Sequence, residues 1–506
     1  MPFPPLLAAG WWLLALPPAS PQVPPPLADA ARSAELRARR DAIIDDERAR
    51  LVAARVATDP AIAPAADGST RFVLLPEVVP ASPRGPDDGQ GGRRPARDPI
   101  RAGAAKALFE LAGVAARSPS PSYALADQCL RDVLERLPDH PEARRLLGFL
   151  PHDGGWATPF AADLLARGNV SDPIYGWVPG DWVAHLGRGE LPAPGGSNRW
   201  LPAAQADDLR RNWNPCWTIT TEHFTIRTNV PMSEAISFGH KLEALHQLFF
   251  ALMADVFDPD QLPLAQRYKL PTLKPSISKK TYRVSYFATR EEYAQHLAPI
   301  MGAGSRVSLG TYITRKEDKS RQFGGVSYFF NDVGGQIDVT STLFHEASHQ
   351  LLFESAGPDN FAQNRGNYWV FEGLGTYFET LEIGPGGRLR IGGLIGPRIA
   401  QARQRLVADR EFIPIEEFVG LGEVRFKGEQ GPGTIYLRYA EAMALAVFLM
   451  QAEGGRFREP FLDYVRDAYK GRLRGVSGRT LEDHLGVRYR DLDRAFLEYL
   501  GKPPGS

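Results

Sequence analysis

The spacing of apolar residues changes twice along this 506-residue chain, and the order of those changes limits its fold more than any other feature. Residues 27–58 are rich in Ala, Arg and Glu and read as a solvent-laced helix. Residues 100–155 keep a helical period: Leu130, Val133, Leu134 and Leu137 precede Pro138, and Leu146 and Leu147 follow it. From Thr220 the period shortens to two. Phe224, Ile226 and Val230 alternate with Thr225, Arg227 and Asn229, as in a half-buried strand. Tyr282–Ala288 is another strand, and Thr289 with Glu292 caps the helix behind it. Val326–Phe330 and Gln336–Val339 read as short strands, and helices follow at about 435–453, 457–470 and 480–500. Strands first and helices afterwards predict an α+β domain over 220–503.

The remainder divides around that domain. Residues 1–26 hold an apolar run closed by Pro and small residues, the layout of a signal peptide and too short for a comfortable membrane span, so the chain is expected to be exported. Residues 59–99 are rich in Pro, Gly and Asp apart from the patch RFVLLPEVV, and read as a disordered linker. Residues 100–155 resemble about one tetratricopeptide-type unit; a single copy makes a packed helical hairpin rather than a solenoid, and a surface for a protein partner. Residues 156–219 lack periodicity and read as an irregular wrapping segment. With 59 basic and 59 acidic residues, no global field steers the chain to nucleic acid or a membrane. Cys129 and Cys216 form neither a disulfide framework nor a sulfur-ligated metal site.

The stretch VTSTLFHEASHQLLFES, residues 339–355, carries the chemistry. As a helix it places Phe344, Ala347 and Leu351 on one apolar stripe and stacks His345 and His349 at i and i+4 on the neighbouring face. That spacing lets two imidazoles reach one Zn²⁺ at about 2.0–2.1 Å, with Glu346 flanking the metal as a proton acceptor. A third ligand is needed. In YWVFEGLGTYFET, Phe371, Leu374 and Phe378 form an apolar stripe while Glu372, Thr376 and Glu379 share another face. Glu372 is the favoured ligand, with Gly373 beside it leaving room for a close helix approach; Glu379, Glu354 and Asp359 are poorer candidates. The other eight histidines (His140, His152, His185, His223, His240, His246, His296 and His484) show no ligand spacing with an acidic partner and read as structural or surface residues.

HEASHQ followed by WVFEGLGTYFE resembles the gluzincin metallopeptidases, and the segment from about Glu222 to Tyr469 resembles an uncharacterised bacterial peptidase MA-like domain family of that clan. The resemblance implies a zincin-like domain, one Zn²⁺ on His345, His349 and Glu372, Glu346 as general base, and Glu379 supporting a ligand from behind. Tyr439, opening an apolar helix, matches the tyrosine that steadies the oxyanion in aminopeptidase N-type enzymes, with Tyr436 in reserve. Phe371 stands where those enzymes carry Asn, and Thr376 where thermolysin-like ones carry Asp. No G-x-M-E-N motif is present, which argues against an aminopeptidase and for an endopeptidase acting on peptide or protein substrates. In this clan a substrate adds as a strand to a sheet edge, and Gly325–Phe330 is the natural candidate. The rival expectation is a catalytically weak zincin-shaped module for binding or cell-surface assembly.

Overall fold

The computed structural model describes residues 25–56, 68–81, 94–195, 198–278, 280–306, 308–316, 323–331, 339–356, 366–428, 432–473 and 478–502. All but the last two residues of the signal-like segment, and most of the Pro- and Gly-rich stretch at 59–99, lie outside that set. The patch RFVLLPEVV lies inside it and is not linker. Thr70–Val73 (β1) pairs antiparallel with Arg388–Ile391, with Thr70 opposite Ile391, and buries Phe72. An alternating four-residue strand is too short to stand out among prolines, and its partner lies far along the chain.

The N-terminal helices are Pro25–Ala53 (α1), Arg94–Ala116 (α2), Tyr123–Arg136 (α3) and Pro141–Leu147 (α4). Ser122 caps α3 by accepting the Leu125 amide, and Gly148, left-handed at φ 101°, closes α4. The expected hairpin around Pro138 is present. It is not a separate body, because Leu108, Leu111, Leu125 and Leu130 belong to the same continuous core as Trp369 and Phe378. Ion pairs fasten α1 across it: Arg40 meets Asp132 at 2.6 Å, and Arg37 meets Glu459. Cys129 is buried and Cys216 half-buried, both as free thiols. The described residues of the wrapping segment contain two small hairpins, Asn169–Asp172 with Gly176–Pro179 and Glu190–Pro192 with Trp200–Pro202, and a third, Leu150–His152 with Gly155–Ala157, straddles its start. Strands of three or four residues carry too little alternation to register as a period.

A five-stranded sheet organises the α+β part. Its strands are Trp217–Thr220 (β2), Phe224–Thr228 (β3), Tyr282–Phe287 (β4), Thr311–Lys316 (β5) and Phe323–Phe330 (β6), in the spatial order β5-β6-β4-β3-β2. β3, β4 and β6 run parallel, whereas β2 and β5 pair antiparallel at the two edges. The crossover from β3 to β4 carries Met232–Met253 (α5), and Arg290–Met301 (α6) follows β4, capped as expected by Thr289. The order corrects one expectation. Gly325–Phe330 lies in β6, enclosed between β5 and β4, so the edge strand on that side of the sheet is β5. Of Gln336–Val339, read as a strand, Val339 begins a helix and the rest lies outside the described residues.

That helix, Val339–Ala356 (α7), lies against the sheet and is held there by polar bonds. The Ser327 hydroxyl donates to Gln350 Oε1 at 2.8 Å, and Gln350 Nε2 donates to the Arg283 carbonyl at 3.2 Å. Tyr368–Glu379 (α8) packs on α7; Pro397–Ala402 (α9), Pro432–Gly455 (α10) and Arg458–Tyr469 (α11) follow. The reading of one helix at 480–500 is corrected to two, Leu481–Leu485 and Tyr489–Gly501, separated by left-handed Gly486. Within α10, Thr434–Gly455 is long and apolar enough to cross a membrane, but 72% of that window is buried inside the fold. No other described helix passes that test.

Glu441 lies inside α10 at 1% exposure. One of its oxygens accepts the Ile413 amide at 3.3 Å, and the other has no partner. Burial pushes this carboxyl from 4.5 up to about 8. The unfolded chain therefore binds fewer protons than the folded one between those values, and stability falls as pH rises through that window. Glu441→Gln should gain about 2–4 kcal/mol on the parent between pH 4.5 and pH 8. Urea unfolding at both pH values measures this, and a difference that does not change with pH would refute it.

Candidate metal centre

The histidine helix α7 is buried on nearly all sides, because β6, α5 and α8 surround it. Phe344, Ala347 and Leu351 fill the core as their spacing predicts, at 1%, 0% and 0% exposure. His345 and His349 are also buried and face α8. There Glu372 Oε2 stands 3.2 Å from His345 Nε2 and 3.9 Å from His349 Nε2. Donor atoms of all three residues lie within 4.8 Å of one another. The three residues expected as ligands are thus brought together from two helices.

The proton affinities of this set follow from burial and pairing. Burial works against a charge on His345, but hydrogen bonds to Glu372 and Glu379 outweigh it and push the imidazole up to about 10. Glu372 is correspondingly held down at about 2, burial being overcome by His345, His349 and the Tyr368 hydroxyl. Burial and the His345 charge hold His349 well below its ordinary range, so it stays neutral. Its Nε2 is buried with no hydrogen-bond partner. An orphaned imidazole nitrogen beside a second imidazole and a carboxylate is the donor set that Zn²⁺ takes, so the residues fit that ion.

Each ligand is also held from behind. The Tyr368 hydroxyl donates to Glu372 Oε1 at 2.6 Å from one turn earlier on α8. His345 Nδ1 meets Glu379 Oε1 at 2.8 Å, and Arg398 Nε on α9 donates to Glu379 Oε2 at 2.6 Å. Glu379 thus stands behind His345, a candidate ligand, with both of its oxygens already engaged. His349 is steadied by Phe371, whose ring stacks on it at 3.6 Å and 3°. This corrects the expected stripe: Phe371 faces the site, while Trp369, Val370 and Tyr377 join Leu374 and Phe378 in the core. Thr376 orients no histidine; its hydroxyl donates to the Glu372 carbonyl at 2.8 Å. Glu354 is tied into the sheet attachment through Gln350 Nε2 at 3.0 Å, and Asp359 lies outside the described residues.

Two glycines permit the approach. Gly373, singled out by sequence, lets α8 meet α10, since a β-carbon there would stand 3.0 Å from the Ala442 carbonyl oxygen. The one against the histidines is Gly375, where a β-carbon would stand 2.7 Å from His345 Cε1 and 2.9 Å from His349 Cε1. Sequence reasoning passed over Gly375, Tyr368 and Arg398. The first two lie at helical spacing from Glu372 and were findable; Arg398 comes from a separate helix with no local signal.

Glu346 is half-buried at the mouth of the site, and its Oε2 accepts the Tyr312 amide of β5 at 3.1 Å. Burial, with Glu372 nearby, pushes it up to about 7 despite His345. The Tyr439 phenol is within hydrogen-bonding reach of Glu372, its ring 6.4 Å from that of His345. Tyr436, the reserve, is 60% exposed and plays no part.

Residues 339–470 match a family model described as a protein of unknown function, DUF1570. That match takes in both histidines, Glu346, Glu372 and Tyr439. No curated protein matches the chain.

Gly375→Ala should leave the fold intact but spread the two imidazoles. Zinc affinity measured by chelator competition should fall at least about tenfold, the scale of lost ligand orientation. Parent-like affinity would mean that the glycine is not needed for ligand approach.

Proposed function

We propose that this chain is a zinc-dependent peptidase of the gluzincin type, exported and acting as an endopeptidase. The observation that carries this reading is the buried, unpartnered His349 Nε2 facing His345 and Glu372. A zinc ion held by these three residues supplies Lewis acidity toward a water molecule and a carbonyl oxygen. The chain's own groups do the rest. Glu346, with its proton affinity raised to about 7, takes a proton from the attacking water and returns it to the leaving amine. The Tyr439 phenol donates a hydrogen bond to the oxyanion as it forms. The Glu379–Arg398 pair and the Phe371 ring hold the two imidazoles in position. A peptide laid along the free edge of β5 would pass beside Glu346, because the Tyr312 amide of that strand already bonds its carboxylate.

One observation favours a second reading, a zinc-binding module with little turnover: Thr376 turns to its own helix backbone and brings no charge to the ligands. Metal analysis together with cleavage of casein or a peptide library separates the two. About one zinc per chain at this centre with turnover supports the peptidase, and zinc without turnover supports the module.

Glu346→Gln should keep the metal and lose at least about a hundredfold in kcat. Cleavage at the parental rate would overturn the proposed mechanism. Tyr439→Phe should lower kcat by about a hundredfold while KM changes little. A change in KM alone would instead make Tyr439 a substrate-binding residue.

A further inference from the structure

A second group of metal-capable side chains lies away from the α7–α8 centre and uses none of its residues. His223, in the turn between β2 and β3, meets Glu243 and His246 of α5, with donor atoms of all three within 4.8 Å of one another. Glu243 and His246 stand at i and i+3 on one helix face. The pairing is thus half local, and only the third donor comes from elsewhere in the fold. His223 Nδ1 lies 2.8 Å from Glu243 Oε2; Glu243 Oε1 accepts the His223 amide at 2.8 Å and the Thr221 hydroxyl at 2.6 Å. The Glu243 carboxylate is thereby fixed in place beside the His223 ring.

His246 supplies the second observation. It is packed among the rings of His223, Phe224, Phe250 and Tyr282, at 3.6, 6.1, 4.6 and 6.0 Å. Its side chain is half-buried. Two further carboxylates, Glu77 and Glu222, lie within electrostatic range of Glu243, and Trp177 Nε1 donates to Glu77 at 2.6 Å. Three carboxylates, Glu77, Glu222 and Glu243, therefore lie within electrostatic range of His223. His223 and Glu243 keep 22% and 15% side-chain exposure, so an ion has a way in.

We propose that His223, Glu243 and His246 form a second divalent-cation site, of structural kind, that takes Zn²⁺. Two imidazoles and a carboxylate suit a borderline cation of that class. On binding, the ion replaces the proton now held between His223 Nδ1 and Glu243 Oε2. The two rings now lie face to face, 17° apart in plane, so His246 rotates to aim its lone pair at the ion.

The test removes the other centre first. His345→Ala/His349→Ala, dialysed against a chelator and then against zinc chloride, should retain one zinc per chain by elemental analysis. His246→Phe, which keeps the ring packing without a donor, should abolish that zinc in the same background. No zinc in the double variant, or zinc that survives His246→Phe, overturns the proposal. In the otherwise unaltered protein, His246→Phe should lower zinc from two per chain to one; unchanged stoichiometry again overturns it. Neither outcome depends on whether the first centre hydrolyses peptides.

Discussion

The close passage of α8 between two neighbouring helices is the constraint on which the rest of this architecture rests. Gly375 lets it approach α7 until a β-carbon would collide with both imidazoles, and Gly373 lets it approach α10 until one would press on the Ala442 carbonyl oxygen. Two glycines inside a twelve-residue helix cost about 2 kcal/mol in helix propensity. Burial of Trp369, Val370, Tyr377 and Phe378 at 0% exposure offsets that many times over. The helix is thus stabilised by what surrounds it, and its glycines are placed for distance rather than for flexibility. A side chain on either face would carry Glu372 away from His345.

Once that distance is set, charge has to be managed. Two carboxylates and two imidazoles at low exposure would be prohibitive if each were unpaired. Here His345 bonds both Glu372 and Glu379, Arg398 closes the outer side of Glu379, and Tyr368 closes the outer side of Glu372. Gln350, on the opposite side of α7, ties it to β6 and β4 through uncharged bonds. The sheet therefore fixes where the histidine helix lies, and the ion pairs fix where its imidazoles point. The His349 nitrogen is left out of both networks and faces Glu372 without a hydrogen bond.

His345, His349 and Glu372 were legible in the sequence because spacing on a helix fixes which side chains share a face, and the two segments lie close together in the chain. β3 and β4 were legible for the same reason at period two. What escaped depends on partners distant in the chain. β5 enters the sheet outside β6, so the choice of edge strand is not encoded in either segment. β1 exists because Arg388–Ile391 is there to pair with it. Gly373 and Gly375 look alike in EGLGTY, and only the positions of α7 and α10 tell which glycine serves which neighbour. Phe371 was read as core because an aromatic at helical spacing usually is; stacking on His349 draws it to the site instead.

The two histidines are held by different forces, and this accounts for the uncharged Thr376. His345 is oriented electrostatically, through Glu379 and Arg398, which also favours its proton. His349 is oriented by a stacked ring, and burial keeps it neutral, the state in which imidazole binds a metal. A charged residue at position 376 would add a third buried carboxylate to the face of α8 that already carries Glu372 and Glu379. With Arg398 committed to Glu379 and His345 shared between both acids, no described cation is left on that face to balance another. Phe371 supplies orientation without charge, so Thr376 is free to close its hydroxyl on the helix backbone. Phe371 and Thr376 thus belong to one arrangement, in which ring packing rather than an ionic bond lies behind His349.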